Sequence, residues 1–422
     1  MRTGIATFTL DDGKCPRWLF ERMVRLGREM IEVLIAEYGP KEFVRRIADP
    51  VWFQTLGTVL AFDWNASGLT TILTAALKEA IRGREKDLGI FICGGKGKTS
   101  RRTPEEIGAW GERLNFLPET SENLVYNSRM AAKVDSSLLQ DGFQIYHHSF
   151  FFTRDGSWAV VQQGMNKQNQ TARRYHWFSE TLKFQPPLAP QEAGHSPLVS
   201  QSVTGKAPLS PPVSQSEIGG VRGGMVCEPH FGIVSQLRFP FLNLVSKDSQ
   251  KTRDLSVDLV ESGYRTLIND IEILRRHSSS LHKMMEVKIG QNQLKLLKLN
   301  NCEFHHHAVE TEDFSKSRYL EKILAKLCYK KPSNYESLLS EEGVGPKTMR
   351  ALALVGEVIY GAKPSYEDPA RYSFAFGGKD ATPYPVDRKT YDEAIQVMKK
   401  AVNQTKLPFY EKSKIIRELV QS

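Results

Sequence analysis

Residues 142–165 decide the fold class, and they read GFQIYHHSFFFTRDGSWAVVQQGM. Two runs rich in aromatic and β-branched residues, 142–152 and 157–165, flank the four residues Thr-Arg-Asp-Gly. An Asp-Gly step between two such runs is a strong signal for a β-hairpin. The sequence therefore predicts antiparallel β-structure in the middle of the chain.

Helical patterns surround this hairpin on both sides. Apolar residues recur at helical spacing over residues 16–38, 67–81 and 254–276. A short apolar run at residues 88–93 predicts a buried strand that leads into a glycine-rich loop. The mixture predicts an α+β fold, with a mixed N-terminal domain and an all-helical C-terminal domain.

One segment has the composition of a linker. Residues 185–224 contain seven Pro, six Ser and six Gly, and only four charged residues. Such a segment cannot bury enough apolar surface to order itself, so we expect a disordered insertion or linker. The prediction is an α+β domain formed by residues 1–184 and 225–314, followed by a helical domain at 315–422.

The charge distribution predicts a polyanionic partner. Residues 316–422 contain 19 Lys and Arg against 13 Asp and Glu, which is +6 of the total net charge of +9. Each phosphate neutralised by a basic residue releases condensed counterions, so such an excess favours binding to nucleic acid. The five cysteines lie far apart and lack the paired spacing of a zinc module or a disulfide framework. We therefore expect no metal and no cofactor.

The sequence also predicts that the protein does not enter a membrane. It contains no uninterrupted apolar run of about 18 residues, the length that a spanning helix requires. The N-terminus, MRTGIATFTLDDGK, lacks the apolar core of a signal peptide. We expect a cytoplasmic protein.

The most specific motif lies in the C-terminal quarter. Leu320, Ile323, Leu324 and Leu327 have helical spacing, and Ser333 with Glu336 predicts a capping box for a second, short helix. Residues 343–348 then read GVGPKT and precede a third apolar run. Glycines let a backbone approach phosphate closely, and the N–H groups that open a helix attract the negative charge. The pattern predicts a sequence-independent grip on a nucleic-acid backbone by Gly343, Gly345, Lys347 and Thr348.

Residues 333–359 resemble the helix-hairpin-helix motif of repair and recombination proteins, which makes DNA the expected partner. In the Gly/Pro-Asp superfamily of DNA glycosylases, a Pro-Val-Asp segment follows the hairpin, and this chain has Pro-Val-Asp at 385–387. The resemblance implies a glycosylase/lyase in which the Lys347 amine attacks the sugar C1′ atom. Asp387 would stabilise positive charge on the sugar, while Arg388 and Lys389 would hold phosphate.

Structural alternatives exist for both proposed catalytic residues. Lys347 could contact phosphate without catalysis, and Asp387 could be the N-cap of the last predicted helix, at 388–402. The spacing of 40 residues between them is also longer than that superfamily usually has.

A glycine-rich loop provides a second candidate contact with phosphate. Residues 94–102 read GGKGKTSRR, with four basic residues and no acid, between a predicted strand and a helix that begins near Thr103. Phosphate could bind the backbone and the four cations, Lys96, Lys98, Arg101 and Arg102. The alternative is an ordinary solvated loop.

The predicted hairpin suggests a second possible site. Its functional side chains are Asp141, His147, His148, Gln162, Gln163, Arg173 and Arg174. Alternation along the strand predicts Tyr146 and His148 on one face and His147 on the other. A Mg²⁺-dependent nuclease centred on residues 141–177 is an alternative function, although the second strand lacks the lysine that such enzymes carry. A non-catalytic DNA-binding protein is a further alternative.

The whole chain resembles the domain-of-unknown-function family 763. The resemblance rests on residues 1–4, on Gly94 to Lys98 with Thr103-Pro104, on 140–177 and on 377–391. It implies no particular activity. Relative to that family, residues 185–224 look like an insertion.

Overall fold

The structure is a computed structural model that describes nine stretches of the chain. They are residues 15–61, 66–167, 171–183, 224–235, 239–277, 286–289, 292–295, 317–370 and 388–421. Asp387 and all of the predicted linker 185–224 except Gly224 lie outside the described residues.

Three helices form the N-terminal part of the fold. They are α1 (Arg17–Ala48), α2 (Pro50–Ala61) and α3 (Ala66–Ala80), so the helices predicted at 16–38 and 67–81 are confirmed. α1 continues beyond its predicted end across a kink at Gly39, whose φ of 81° lies in the left-handed region, and Pro40. α2 begins at Pro50, because the first helical position needs no backbone N–H.

A five-stranded antiparallel sheet forms the centre of the molecule. Its strands are β1 (Ile90–Lys96), β2 (Gln144–Thr153), β3 (Trp158–Asn166), β4 (Thr171–Phe178) and β5 (His230–Ser235), in that spatial order. The predicted hairpin is confirmed as β2 and β3. A separate pair consists of β6 (Glu286–Ile289) and β7 (Asn292–Lys295). Together with the helices, this sheet confirms the α+β class.

Among the described residues, one helix lies just before β1 and six α-helices lie between β1 and β6. They are α4 (Glu85–Leu88), α5 (Lys98–Arg101), α6 (Thr103–Arg113), α7 (Pro118–Ser137), α8 (Ser179–Lys183), α9 (Gln250–Glu261) and α10 (Tyr264–His277). The helical pattern predicted at 254–276 is confirmed, and it forms two helices, α9 and α10, because the chain breaks at Gly263, whose φ is +99°. A left-handed glycine ends one helix and allows the next to start in a new direction.

The described C-terminal segments are helical. They contain α11 (Arg318–Lys330), α12 (Tyr335–Ser340), α13 (Pro346–Val358), α14 (Arg388–Gln404) and α15 (Phe409–Gln421). The predicted capping box of Ser333 and Glu336 is wrong by one residue. Asn334 is the N-cap of α12, and its side chain accepts from the N–H of Ser337, whose hydroxyl completes the box.

Two hydrophobic cores lie on opposite faces of the sheet. One core contains buried residues of α7, α9, α10 and α11 to α13, and the other contains buried residues of α1 to α3, α14 and α15. Helices from the predicted C-terminal domain thus pack against both faces. Its boundary at residue 315 stays a prediction, since residues 296–316 lie outside the described part of the chain.

Candidate functional site

The sheet separates the polar residues predicted for the hairpin region into two buried clusters. Side chains alternate between the faces of a strand, so neighbouring residues such as His147 and His148 point in opposite directions. Each cluster packs against a different set of helices. Asp141, His148, Gln162 and Arg173 face α7, whereas His147, Gln163 and Arg174 belong to the face covered by α2 and α3.

The first cluster is centred on Asp135 of α7, a residue that the sequence analysis did not single out. Its carboxylate is fully buried and accepts hydrogen bonds from Gln162 Nε2 and from Trp177 Nε1, the latter at 3.0 Å. Its other oxygen lies 2.5 Å from His230 Nε2. A chain of hydrogen bonds therefore links α7, β3, β4 and β5, and we call it the Asp135 network.

The Asp135 network continues to His148 and Ser128. Gln162 Oε1 lies 2.8 Å from His148 Nδ1, and His148 Nε2 lies 2.9 Å from the Ser128 hydroxyl. Burial lowers the pKa of His148, so its ring is neutral at physiological pH. Because Ser128 and His148 are both buried, this serine–histidine pair is a structural contact and not an accessible nucleophile.

Arg173 and Asp141 form a buried ion-pair network beside it. Arg173 donates to Asp141 at 3.1 Å and to Asp368 at 2.6 Å, and the Tyr175 hydroxyl donates to Asp141 at 2.7 Å. The guanidinium also lies 4.9 Å from the centre of the Phe143 ring. Burial raises the pKa of Asp141 to about 6 against the opposing effect of Arg173. These contacts hold the segment around Asp368 against the sheet.

The second cluster contains His147 and Arg174. Arg174 donates to His176 at 2.8 Å, to Thr70 at 3.1 Å and to Gln54 at 3.2 Å. Burial lowers the pKa of Arg174 to about 9 and that of His147 to about 3, so at neutral pH the arginine is charged and the histidine is not. Both are fully buried, which favours a structural role.

The predicted position of Tyr146 beside His148 is wrong. The register between β2 and β3 shifts between Ile145 and His147, as it does at a β-bulge. The Tyr146 hydroxyl accepts from Gln163 Nε2 at 2.7 Å, and Gln163 pairs with His147. The bulge thus places Tyr146 with the second cluster.

The glycine-rich loop forms the end of β1 and the start of α5. Gly94 is fixed on both sides, because its N–H donates to Glu106 at 3.0 Å and its carbonyl accepts from Lys78 Nζ at 3.0 Å. Lys78 and Glu106 are themselves an ion pair at 2.6 Å. The four predicted phosphate contacts are all exposed: Lys96, Lys98, Arg101 and Arg102. The main chain of the loop is therefore anchored at Gly94, while the four charges face solvent.

The Gly-Val-Gly turn joins α12 to α13. Gly343 has a φ of +91°, and a Cβ atom there would overlap Ile323 of α11. Val344 between the glycines is buried, which anchors the turn to the helices below it. Nothing lies within 4 Å of the position that a Cβ atom would take on Gly345. The turn is thus closed toward the protein at Gly343 and open at Gly345.

Basic residues of neighbouring helices fix the carbonyl groups of this turn. Lys133 Nζ donates to the Glu341 carbonyl at 2.6 Å, and Lys326 Nζ donates to the Glu342 carbonyl at 3.0 Å. Lys347 is half-buried and Thr348 is buried at the start of α13. Asp387 lies outside the described residues, and the side chains of Arg388 and Lys389 are not described.

Sequence reasoning missed Asp135 and Asp368 among the buried polar residues. Asp135 and Ser128 occupy the same face of α7 as the buried Ala131, and polar residues on the buried face of a helix are a usable signal. No local signal identifies their partners, because Asp135 and His230 lie 95 residues apart. Among the described residues, no group of three or more His, Cys, Asp or Glu is arranged to hold a metal ion.

These features define an α+β protein in which one antiparallel sheet carries a buried polar cluster on each face and a Gly-Val-Gly turn joins two C-terminal helices. The chain belongs to the family described as protein of unknown function DUF763, whose model matches residues 4–200 and 218–386. The match is interrupted at residues 201–217, within the predicted insertion. No curated protein and no solved structure matches the chain. In the described part of the chain, no helix is long and apolar enough to cross a membrane.

Proposed function

We propose that this protein binds DNA through the Gly-Val-Gly turn and acts in DNA repair. The observation that carries the proposal is the combination of a rigid turn with an open glycine at the start of a helix. Gly345 is the N-cap of the 13-residue helix α13, and its surface leaves room for a phosphate to approach the main chain. Helix N-termini bind phosphate through backbone N–H groups and the helix dipole.

The local hydrogen bonding supports this role. Pro346 occupies the first turn of α13, and the N–H of Met349 is bonded to the Gly345 carbonyl at 3.1 Å. The N–H groups of Lys347 and Thr348 precede that first intrahelical bond, in positions from which a helix binds external anions. Their contacts with phosphate would read no base edge, so binding would be independent of sequence.

The basic loop supports a second contact with the nucleic-acid backbone. Lys96, Lys98, Arg101 and Arg102 are exposed within seven residues, and the Arg102 side chain also lies 3.6 Å from Glu105. Anchoring of Gly94 by Lys78 and Glu106 keeps the main chain of this loop in place. Preorganised cations lose less conformational entropy on binding than mobile ones.

The enzymatic form of the proposal is a DNA glycosylase/lyase that uses Lys347 and Asp387. The Lys347 amine would displace the base at C1′ and form a Schiff base with the opened sugar. The support for this step is the resemblance of residues 343–348 and 385–387 to glycosylase motifs. The nuclease alternative has less support, because Asp141 is buried in an ion pair with Arg173 and so is not open to a metal ion.

Binding and chemistry can be tested on the same preparation. Fluorescence anisotropy with labelled duplexes of unrelated sequence should give similar affinities, and affinity should fall steeply as salt rises. Borohydride should then trap a covalent adduct with DNA that contains an abasic site, and Lys347→Gln should abolish it. Binding without trapping would leave a non-catalytic DNA-binding protein, and absence of binding would refute the proposal.

A further inference from the structure

We propose that a cavity beside β5 binds a small organic cation that carries an ammonium or guanidinium group. β5 is the last strand of the sheet, and the cavity of about 270 Å³ lies along it. The side chains used in the argument are His230, Asp248 and Glu367. This proposal does not depend on DNA binding, because the cavity shares no residue with the turn or the basic loop.

The Asp135 network determines which nitrogen of His230 carries the proton. Trp177 Nε1 and Gln162 Nε2 both donate to one oxygen of Asp135, and Gln162 Nε2 also donates to the Ala131 carbonyl at 3.0 Å, which fixes the orientation of its amide. The second oxygen of an ionised Asp135 can only accept, so a neutral His230 beside it donates from Nε2. His230 Nδ1 is then a hydrogen-bond acceptor.

The His230 ring is held firmly at the wall of the cavity. Its side chain is only 7% exposed, and it lies against Trp177 with ring centres 4.8 Å apart. Nδ1 has no hydrogen-bond partner in the part of the chain that the structure describes. A nitrogen with an unfilled lone pair at a cavity wall favours a ligand that donates a hydrogen bond.

Two carboxylates of the cavity lining add acceptors. Asp248 and Glu367 are exposed at its edge, and neither forms an ion pair with any residue that the structure describes. The Asn243 amide, which could donate, is bonded to the Glu367 carbonyl at 2.9 Å. Three acceptors, two of them anionic, complement a ligand with positive charge and several N–H groups.

The size and the ligand set favour an organic cation over a metal ion. The cavity is slightly smaller than the roughly 300–1,000 Å³ of typical small-molecule sites, so a ligand of amino-acid size fits best. Across the described ranges, no three His, Cys, Asp or Glu residues converge as metal ligands. Guanidinium and ammonium groups need no such convergence, because they donate from several directions.

The test uses the full-length protein with L-arginine as the probe and L-citrulline as a neutral probe of the same shape. Histidine ¹⁵N spectra should show His230 with a protonated Nε2 and an unprotonated Nδ1, and arginine should shift its signals in a saturable way. Citrulline should bind at least about tenfold more weakly, because it lacks the charge. Equal binding of the two, no shift of His230 with arginine, or a shift caused by Mg²⁺ instead would overturn the proposal.

Asp135 serves as a positioning residue, and its isosteric variant separates this role from a structural one. In Asp135→Asn the amide must keep its oxygen toward Trp177 and Gln162, so its N–H faces His230 Nε2 and moves the ring proton to Nδ1. The spectra should therefore show the other tautomer, with arginine binding weakened about tenfold or more. His230→Gln should weaken arginine binding, and so should the double variant Asp248→Asn/Glu367→Gln. These variants remove acceptors of the cavity itself and leave Asp135 unchanged.

Glu261→Gln is the matched control, since this exposed glutamate at the end of α9 lies outside the cavity. It should leave arginine binding unchanged. An unchanged tautomer in Asp135→Asn, or full arginine affinity in the double variant, would contradict the assignment of these residues.

Discussion

Gly94 of β1 lies directly against the main chain of His148 in β2. A Cβ atom on Gly94 would overlap the His148 carbonyl oxygen and the Thr103 hydroxyl, and its φ of +86° is one that L-residues rarely adopt. Gly97, three residues later, also has a positive φ, of +62°, but nothing lies within 4 Å of its missing Cβ. A comparison of substitutions at the two glycines therefore separates the cost of backbone strain from the cost of steric overlap.

Gly94→Ala should consequently destabilise the protein by more than Gly97→Ala. We expect a loss of about 3 kcal/mol or more for Gly94→Ala, since strain and overlap both contribute. Gly97→Ala should cost about 1–3 kcal/mol from backbone strain alone, because its φ of 62° and ψ of −121° form a combination that L-residues rarely adopt. Urea unfolding of both variants measures the difference, and equal losses would show that the contact with His148 is not tight.

The buried histidines predict that stability falls on acidification. Burial lowers the pKa values of His147, His148 and His176 in the folded protein, and that of His147 to about 3. The unfolded chain then binds more protons than the folded one below the ordinary histidine pKa of about 6.5, so each histidine removes up to about 1.4 kcal/mol per pH unit until the pH approaches its lowered pKa.

Asp141 opposes this trend in part of the same range. Burial raises its pKa to about 6, so its stabilisation is complete below about pH 4 and is lost as the pH rises through 6. On acidification, the stability lost through the three histidines exceeds the stability gained through Asp141. The free energy of unfolding should therefore be lower at pH 5 than at pH 7. Urea titrations at both pH values test this, and greater stability at pH 5 would contradict the neutral state of the histidines.

The basic loop predicts a change in the salt dependence of DNA binding. Lys98→Gln with Arg101→Gln removes two exposed charges. If each contacts a phosphate, the slope of log affinity against log salt should become shallower by about 2. Lys86→Gln with Lys251→Gln is a control of equal charge, placed elsewhere on the surface. An equal effect of both double variants would indicate that only the net charge matters.

Lys347 is the residue that separates binding from catalysis. Lys347→Gln should weaken DNA binding only a few-fold, about the effect of one phosphate contact, while it removes any adduct that borohydride traps. Lys251→Gln should change neither. Trapping that survives in Lys347→Gln would exclude this lysine as the nucleophile.

Local patterns in the sequence predicted much of the fold. The hairpin of β2 and β3 and the helices α1, α3, α11 and α13 follow from residue periodicity and from turn residues that lie within a few positions of each other. The bulge at Tyr146 and the break at Gly263 were missed because each depends on a single backbone conformation. The pairing of β4 with β5 was missed because it joins segments on either side of the predicted linker.

For the candidate sites, too, local patterns could be predicted from the sequence, whereas contacts between distant segments could not. The Gly-Val-Gly turn and the basic loop are continuous in sequence and could be identified directly. The hairpin residues were chosen as one polar group, yet strand alternation divides them between two clusters. His230 and Asp135 could not be paired from sequence, because only the folded sheet brings β5 and α7 together.

The most direct test of the central claim, that the Gly-Val-Gly turn grips DNA, is the affinity of Gly345→Val for duplex DNA. Gly345 has an extended conformation with φ of −151° and open space around its Cβ position, so valine fits and stability should change by less than about 1 kcal/mol. The valine side chain would occupy the space where phosphate approaches. We predict affinity about tenfold weaker or more, equally for unrelated sequences. Unchanged affinity in a variant of normal stability would contradict the account.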